Sequence, residues 1–289
     1  MTTPIPTYPL QYFSAPAAEA AGVFFLDDST HTDGPPMHTP YRGDYYKIGL
    51  CLRGSAELQA NLETYAIGPG DLMLITPHTI KQWTDFSADH DSLSLFFTRD
   101  FMTAGHRLHP EHLQFLDGAT RHVLPLAAAE AASIQASLLF LRDKLRAPHA
   151  YRDDIVKNLI NSLLYEVVAA YERQREARRG GQSRGQLIAA DFKQLVNAHC
   201  LTERSVAFYG EQLCITPKHL SETVREATGK TASAWIEEAV MLEAKARLLN
   251  PALTVAQVAE QLHFADASAF SRFFKKSHGR SPKAYKQVG

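Results

Sequence analysis

The residues with the plainest chemistry lie in the run FADASAFSRFFKKSHGRSPKAYKQVG. From Arg272 onward it carries Arg272, Lys275, Lys276, Arg280, Lys283 and Lys286, and no acid. Cations without intervening carboxylates suit a polyanion, and a guanidinium can in addition bind guanine O6 and N7 as a bidentate pair. The aromatic side chains laced among them, Phe264, Phe270, Phe273, Phe274 and Tyr285, read as core and not as base-stacking platforms. The chain as a whole has a net charge of −1, but the charge is unevenly placed. From Gly181 to Gly289 there are 14 Lys and Arg against 10 Asp and Glu, and in the rest 16 against 21. A sign difference between parts suggests a nucleic-acid or membrane module joined to something else.

Other reactive side chains are sparse. Cys51, Cys200 and Cys214 are odd in number, scattered and without metal-ligand spacing, so they read as small hydrophobes in a reducing cytoplasm. His31, His38 and His78 lack the alternation that would aim them at one metal ion. The start, MTTPIPTYPLQYF, has neither the basic nor the apolar segment of a signal peptide, and no apolar run approaches the ~18–20 residues that span a bilayer. No membrane association and no cofactor are expected. Lys47, Gly49 and Cys51 alternate along one stretch and would share one face of a strand.

Elements must position these groups. The polar, Gly-containing stretch from Glu172 to Gln186 has no apolar periodicity and is expected to be a linker, narrowed to 177–187, between a domain at 1–176 and another at 188–289. Residues 22–98 hold short apolar runs (GVFFL, YYKIGLCL, YAIGPGDLMLI, SLSLFF) separated by turn formers, the pattern of a barrel or sandwich. Beyond Leu124 the period becomes helical. Ile134, Leu138, Leu141 and Leu145 make one stripe; Ile155, Leu159, Leu163, Val167 and Tyr171 make another, after Pro148. After the linker, SVAFYGEQLCITPKHLSETVREATG and TVAQVAEQLHFADASAFSRFFKKSHG repeat one grammar: a capping hydroxyl, a short helix with EQL, a tight turn, and a second helix ending at glycine. Thr254 with Gln257 forms a capping box, and Thr216-Pro217 and Ser281-Pro282 each set a cap before a proline. Gly210 would let the first unit's helices approach closely. Between the two units, TASAWIEEAVMLEAKARLLN would form a rod of about 28 Å, near the ~34 Å between successive major grooves.

Two helix-turn-helix units at this spacing, the second of them basic, resemble the DNA-binding domain of the AraC/XylS family of bacterial transcription regulators. Phe264, Phe270, Arg272, Phe274, Lys275, Gly279, Pro282 and Tyr285 stand in the family's places. By position in that motif the first reading helix offers Lys218, Ser221, Glu222 and Arg225 to DNA, and the second Ser268, Ser271, Arg272 and Lys275. Arg272 is the expected base reader; Lys275, Lys276 and Lys283 are expected on phosphate. Two departures stand out. Glu222 replaces a residue that is often basic, and His263 replaces the usual turn glycine, where histidine tolerates positive φ better than most residues.

The front part resembles that family's cupin-like sensor domain through YRGDYYKIGLCLRGSAEL and PGDLMLITPHTIKQW. Where metal-binding cupins carry ligands, this chain aligns Tyr41, Gly43, Lys47 and Lys81, so no metal is expected. Two orientations remain open for the lysines. They face the barrel interior, with Gly49 and Cys51 leaving space for an effector that carries a carboxylate, or they face solvent while Ile48 and Leu50 fill the barrel. The expected architecture is therefore α+β: a cupin-like β-barrel with appended helices, then an all-α domain of two helix-turn-helix units joined by a long helix. The expected function is a sequence-specific DNA-binding regulator, an activator controlled by a small-molecule effector, cytoplasmic and without catalysis. It would act as a homodimer through Leu159, Leu163 and Val167, and as an activator it would also engage RNA polymerase. The alternatives are a metal-dependent cupin enzyme with a helical appendage and a regulator that needs no ligand.

Overall fold

A computed structural model describes residues 7–10, 23–26, 37–77, 79–103, 121–181, 183–250 and 253–287. His31 and His78 lie outside them; His38 is exposed at φ 56°. The chain divides into two compact units between Ala177 and Arg178.

Among the described residues, the first unit has ten strands. They are β1 (Thr7–Tyr8), β2 (Val23–Leu26), β3 (Arg42–Gly43), β4 (Tyr46–Arg53), β5 (Ala56–Ala60), β6 (Glu63–Ile67), β7 (Asp71–Ile75), β8 (Lys81–Phe86), β9 (Asp91–Phe97) and β10 (Val123–Pro125). Five form one sheet in the order β10-β7-β4-β9-β2, and three form another in the order β6-β5-β8. The short pair β1-β3 is parallel; the other pairs are antiparallel. Because successive side chains point to opposite faces, β4, β7 and β9 each feed two separate cores. One face sends Cys51, Met73, Ile75 and Phe96 inward to meet Leu58, Tyr65, Ile67 and Trp83 of the three-stranded sheet. The other face sends Ile48, Leu50, Leu72, Leu74, Leu93, Leu95 and Phe97 outward.

That outer face is covered by helices. After α1 (Arg99–Thr103) come α2 (Ala128–Arg146) and α3 (Arg152–Gly181), with Pro148 in the break between them as expected. Ile134, Leu138 and Leu141 of α2 and Val156, Ile160, Leu163, Leu164 and Val167 of α3 are all buried against the sheet. This corrects the dimerisation assignment. Leu163 and Val167 are 1% and 0% exposed within their own chain, and Leu159 packs at the edge of the same core, so none of the three forms a free face. The outward positions are Phe140 and Tyr165, 52% and 53% exposed. The linker assignment is corrected too. Backbone through Gly181 is helical, and a new helix starts after Ser183, whose side chain and Gln186 complete a capping box. Glu, Arg, Gln and Ala are strong helix formers, so a stretch without an apolar stripe can still hold a helix.

Among the described residues, the regular elements of the second unit are helices: α4 (Arg184–His199), α5 (Val206–Gln212), α6 (Pro217–Thr228), α7 (Ala232–Leu248), α8 (Val255–Gln261), α9 (Ala267–His278) and α10 (Pro282–Lys286). The punctuation is as the sequence predicts. Thr216, Thr254 and Ser281 each accept from the backbone amide three residues on, and Thr254 pairs reciprocally with Gln257. Gly229 and Gly279 end α6 and α9 at φ 76° and 80°. A Cβ on Gly210 would stand 2.8 Å from the Ile215 carbonyl oxygen, so glycine is what permits the first turn. The 17 residues of α7 give a rod of about 25 Å at 1.5 Å per residue. It carries the second core, in which Met241, Ala244 and Leu248 meet Val258, Leu262, Phe270, Phe274 and Tyr285.

Candidate functional site

In the first helix-turn-helix unit, α5 and α6 flank a turn at Leu213–Ile215. In the second, α8 and α9 flank a turn at Leu262–Phe264. Each turn passes through the left-handed region on a non-glycine residue, Cys214 at φ 55° and His263 at φ 52°. The sequence reading singled out His263 and missed Cys214, although aligning the two EQL segments places both at the same step.

On α6, Lys218, Glu222 and Arg225 are exposed. Ser221 is half-buried and its hydroxyl donates to the Pro217 carbonyl at 2.9 Å, so its polar group is engaged within its own helix. On α9, Ser268, Arg272, Lys275 and Lys276 are exposed and Ser271 is half-buried; Lys283 is exposed on α10. Among the described residues, the side chains of Lys218, Arg225, Arg272, Lys275, Lys276 and Lys283 make no ion pair or hydrogen bond within the protein. Lys286 differs, donating to the carbonyls of Asn250 (3.2 Å) and Leu253. The expected core aromatics are core: Phe270, Phe274 and Tyr285 are buried, Phe264 and Phe273 pack against them, and none is left free to stack on a base. Exposed, uncommitted cations beside a helix that follows a tight turn can neutralise phosphates and reach base edges.

The barrel interior holds the second constellation. Lys47 extends from the face of β4 that carries Cys51, and its Nζ lies 5.2 Å from the Trp83 ring centroid and 5.4 Å from that of Phe96. Lys81, 2% exposed, places Nζ 4.6 Å over Tyr41 and 4.7 Å over Tyr45. The two lysines are linked through their platforms, because Trp83 Nε1 donates to the Tyr41 hydroxyl at 3.2 Å. Lys81 Nζ is buried without a hydrogen-bond partner, and so is Ser94 Oγ. The solvent-facing alternative is thereby excluded: Ile48 and Leu50 belong to the core beneath α2 and α3, and it is the lysines that turn inward. One part of the inward reading is corrected as well. The room above Gly49 is not empty, since a Cβ there would meet Met73 Cε at 2.9 Å and Lys47 Cε and Ser94 Oγ at 3.0 Å. Cys51 points to the loop end, its Sγ 3.3 Å from the Arg53 carbonyl oxygen and 4.0 Å from His90 Nδ1.

Burial draws the Lys47 ammonium from 10.5 down to about 8. Lys81 is held well below the usual lysine range, first by burial and then by the charges of Lys47 and Arg42. An aromatic face returns about 0.5–2 kcal/mol to a cation, whereas removing one from water costs several. The interior is thus electrostatically short of negative charge. Burial and the charge of Asp71 raise the Cys51 thiol to about 11, which makes it a poor nucleophile. Among the described residues, no three His, Cys, Asp or Glu side chains gather as metal ligands, and no helix is long and apolar enough to cross a membrane.

Comparison with known proteins agrees with both halves of this description. Residues 20–167 match the model of an AraC-binding-like domain, and residues 209–287 match a helix-turn-helix domain. The chain is 22% identical over 258 residues to the arabinose operon regulatory protein of Salmonella typhimurium, covering 83% of each chain. To the protein of the same description from Escherichia coli it is 31% identical over 81 residues, 28% of each. Among solved structures, ToxT from Vibrio cholerae aligns at 17% identity and a TM-score of 0.35, over 92% of this chain and 96% of that one. The domain match spans half the chain, and the helix-turn-helix match falls on the exposed cations described above; the chain belongs to the AraC/XylS family of transcription regulators.

Proposed function

We propose that this regulator changes its grip on operator DNA in response to an organic anion bound inside its barrel. The observation that carries the reading is the Lys81 ammonium, buried on two tyrosine rings with no hydrogen-bond partner and electrostatically coupled to Lys47. A carboxylate or similar group would supply the missing negative charge, and the aromatic walls favour a ligand with an apolar body. Gly49 serves by letting the Lys47 stem fold over its own strand, and Cys51 closes the far end of the same face. In the second unit, Arg272 reads a base while Lys218, Arg225, Lys275, Lys276 and Lys283 hold phosphates. Ser268, Ser271 and Ser221 line the two reading helices, and Glu222 restricts what the first one accepts. The protein acts in the cytoplasm as a homodimer, pairing through the outward faces of α2 and α3 around Phe140 and Tyr165, and it activates by engaging RNA polymerase.

The test begins with genomic DNA fragments retained by the purified protein. Binding to the retained operator is then measured against a panel of carboxylates, organic phosphates and neutral analogues of the same size. An anion at a hundredfold excess over Kd should raise barrel stability by about 2.7 kcal/mol. The double variant Lys47→Met/Lys81→Met should lose that response and keep basal DNA affinity. A normal response from the double variant, or an uncharged effector, overturns the barrel reading.

A further inference from the structure

Arg204 stands just before Ser205, the N-cap of α5, and so belongs to the entrance of the first helix-turn-helix unit. Its guanidinium, however, is committed to the second. The Cζ atom lies 3.6 Å from the centroid of the Phe264 ring, and Nη2 donates to the Leu262 carbonyl. Leu262 and Phe264 flank His263 in the turn that launches α9, and Phe264 in turn packs on Phe270 and Phe273 of that helix, each ring 5.2 Å away. Three residues earlier, Leu201 packs against the second unit's core. The other end of the segment is fixed as well, because the Glu203 carbonyl accepts from the Tyr209 hydroxyl of α5 at 2.7 Å.

Arg204 makes no ion pair among the described residues, and its Nε is buried without a hydrogen-bond partner. Burial lowers its pKa. A desolvated guanidinium facing no carboxylate is an electrostatic burden, so what it contributes is geometric: a flat stack and a directed N–H bond between two units. Among the described residues, α7 also joins them, a single helix that fixes their separation, and Leu201 adds an apolar contact. Joined by one rod alone, two bodies can still turn about its axis. A second point of attachment removes that freedom.

We propose that Arg204 is a positioning residue for DNA binding, fixing the angle of α9 relative to α6 so that both reading helices meet successive grooves as one preformed surface. The proposal rests on the reading that both units engage DNA. Preorganisation raises the affinity of the joined site without any new contact to DNA, because binding of the first unit then places the second correctly.

The experiment uses the full chain and an operator recovered from genomic fragments, together with versions in which either subsite is scrambled and versions with one base pair added or removed between them. Wild-type protein should bind the two-subsite DNA at least a hundredfold more tightly than either single subsite and should reject altered spacing. Arg204→Ala should lose tenfold or more on the two-subsite DNA, change less than twofold on single subsites, and tolerate the altered spacing. Its salt slope should stay as in wild type. Phe264→Leu keeps an apolar filler but removes the ring; it should show the same loosening, and it decides the matter if Arg204→Ala fails to fold. Arg204→Lys keeps the charge without the planar stack and should behave as alanine does. Equal losses on all probes, or a salt slope reduced by about one, would make Arg204 a phosphate contact and overturn the proposal. A wild-type advantage that survives intact in Arg204→Ala and Phe264→Leu overturns it alone. No wild-type advantage from the second subsite overturns it together with the reading of two DNA-engaging units.

Discussion

Lys47 offers a direct measure of how much charge the barrel holds against its preference. Its pKa falls from 10.5 to about 8 on burial, a shift of ~2.5 units, each worth 1.36 kcal/mol. The folded-state value is the lower one, so at pH 7 the lysine is charged in both states and the full cost, about 3 kcal/mol, opposes folding. As pH rises through 8 the folded protein releases the proton first, and the cost fades until it vanishes near 10.5. Barrel stability should therefore climb with pH across that window, by at most ~1.4 kcal/mol per pH unit for each such lysine. Lys47→Met keeps the stem that folds over Gly49 and removes the charge. It should stabilise the barrel by about 3 kcal/mol at pH 7 and flatten the rise above pH 8 by one lysine's share. Trp83 lies in the barrel and Trp235 in the second unit, so a Trp235→Phe background makes fluorescence report on the barrel alone. Urea unfolding at pH 7.0 and 9.5 supplies both readings. If the variant is no more stable at pH 7 and its pH slope matches wild type, Lys47 is solvated and the charge-shortage argument fails.

Arg272→Ala should cost about 1–3 kcal/mol of operator affinity and relax preference at one base pair; uniform weakening across sequences would instead mark a phosphate contact. Leu163→Glu should unfold the first unit, because the leucine is 1% exposed beneath the sheet. Tyr165→Glu should leave it folded and shift sedimentation to monomer, and an unchanged dimer would remove that face from the interface. Gly210→Ala should destabilise the second unit by about 1–3 kcal/mol in thermal unfolding, since its Cβ meets the Ile215 carbonyl oxygen at 2.8 Å; an unaltered midpoint would show that the turn yields freely.

The second unit was legible because its signals are local. A threonine before a proline, a capping box and a glycine at a helix end each fix backbone within four residues, and all three kinds stand where the sequence puts them. The barrel was legible only in outline. Alternation placed Lys47, Gly49 and Cys51 on one face of β4 but could not say which face meets the other sheet. That is settled by α2 and α3, whose apolar stripes need Ile48 and Leu50 as their floor. The same helices defeated the dimer assignment. A broad stripe on α3 announces that something covers it, and the covering surface is the protein's own sheet. Arg204 carried no signal at all, since a cation in a connecting segment has no period to betray its partner 60 residues on, at Phe264.

The two units differ in how strictly they obey local rules, and the difference separates their tasks. In the second unit a Ser, Thr or Asp side chain caps the start of each described helix, and the cations on its reading surface are exposed, where an unpaired charge costs little. Its two non-glycine residues in the left-handed region both sit in the turns that aim a reading helix, so strain there accompanies function. The barrel instead keeps the Lys81 ammonium buried on two tyrosine rings without a hydrogen-bond partner, beside a second lysine, Lys47. Methionine at that position would pack the same stem at no electrostatic cost, so packing alone gives no reason for lysine. A fold retains such a violation where a ligand offsets it. An anion that does so must bind the folded barrel in preference to the unfolded chain. Its binding therefore favours the ammonium form of Lys81, which burial and the charges of Lys47 and Arg42 disfavour, and affinity for the anion should fall as pH rises.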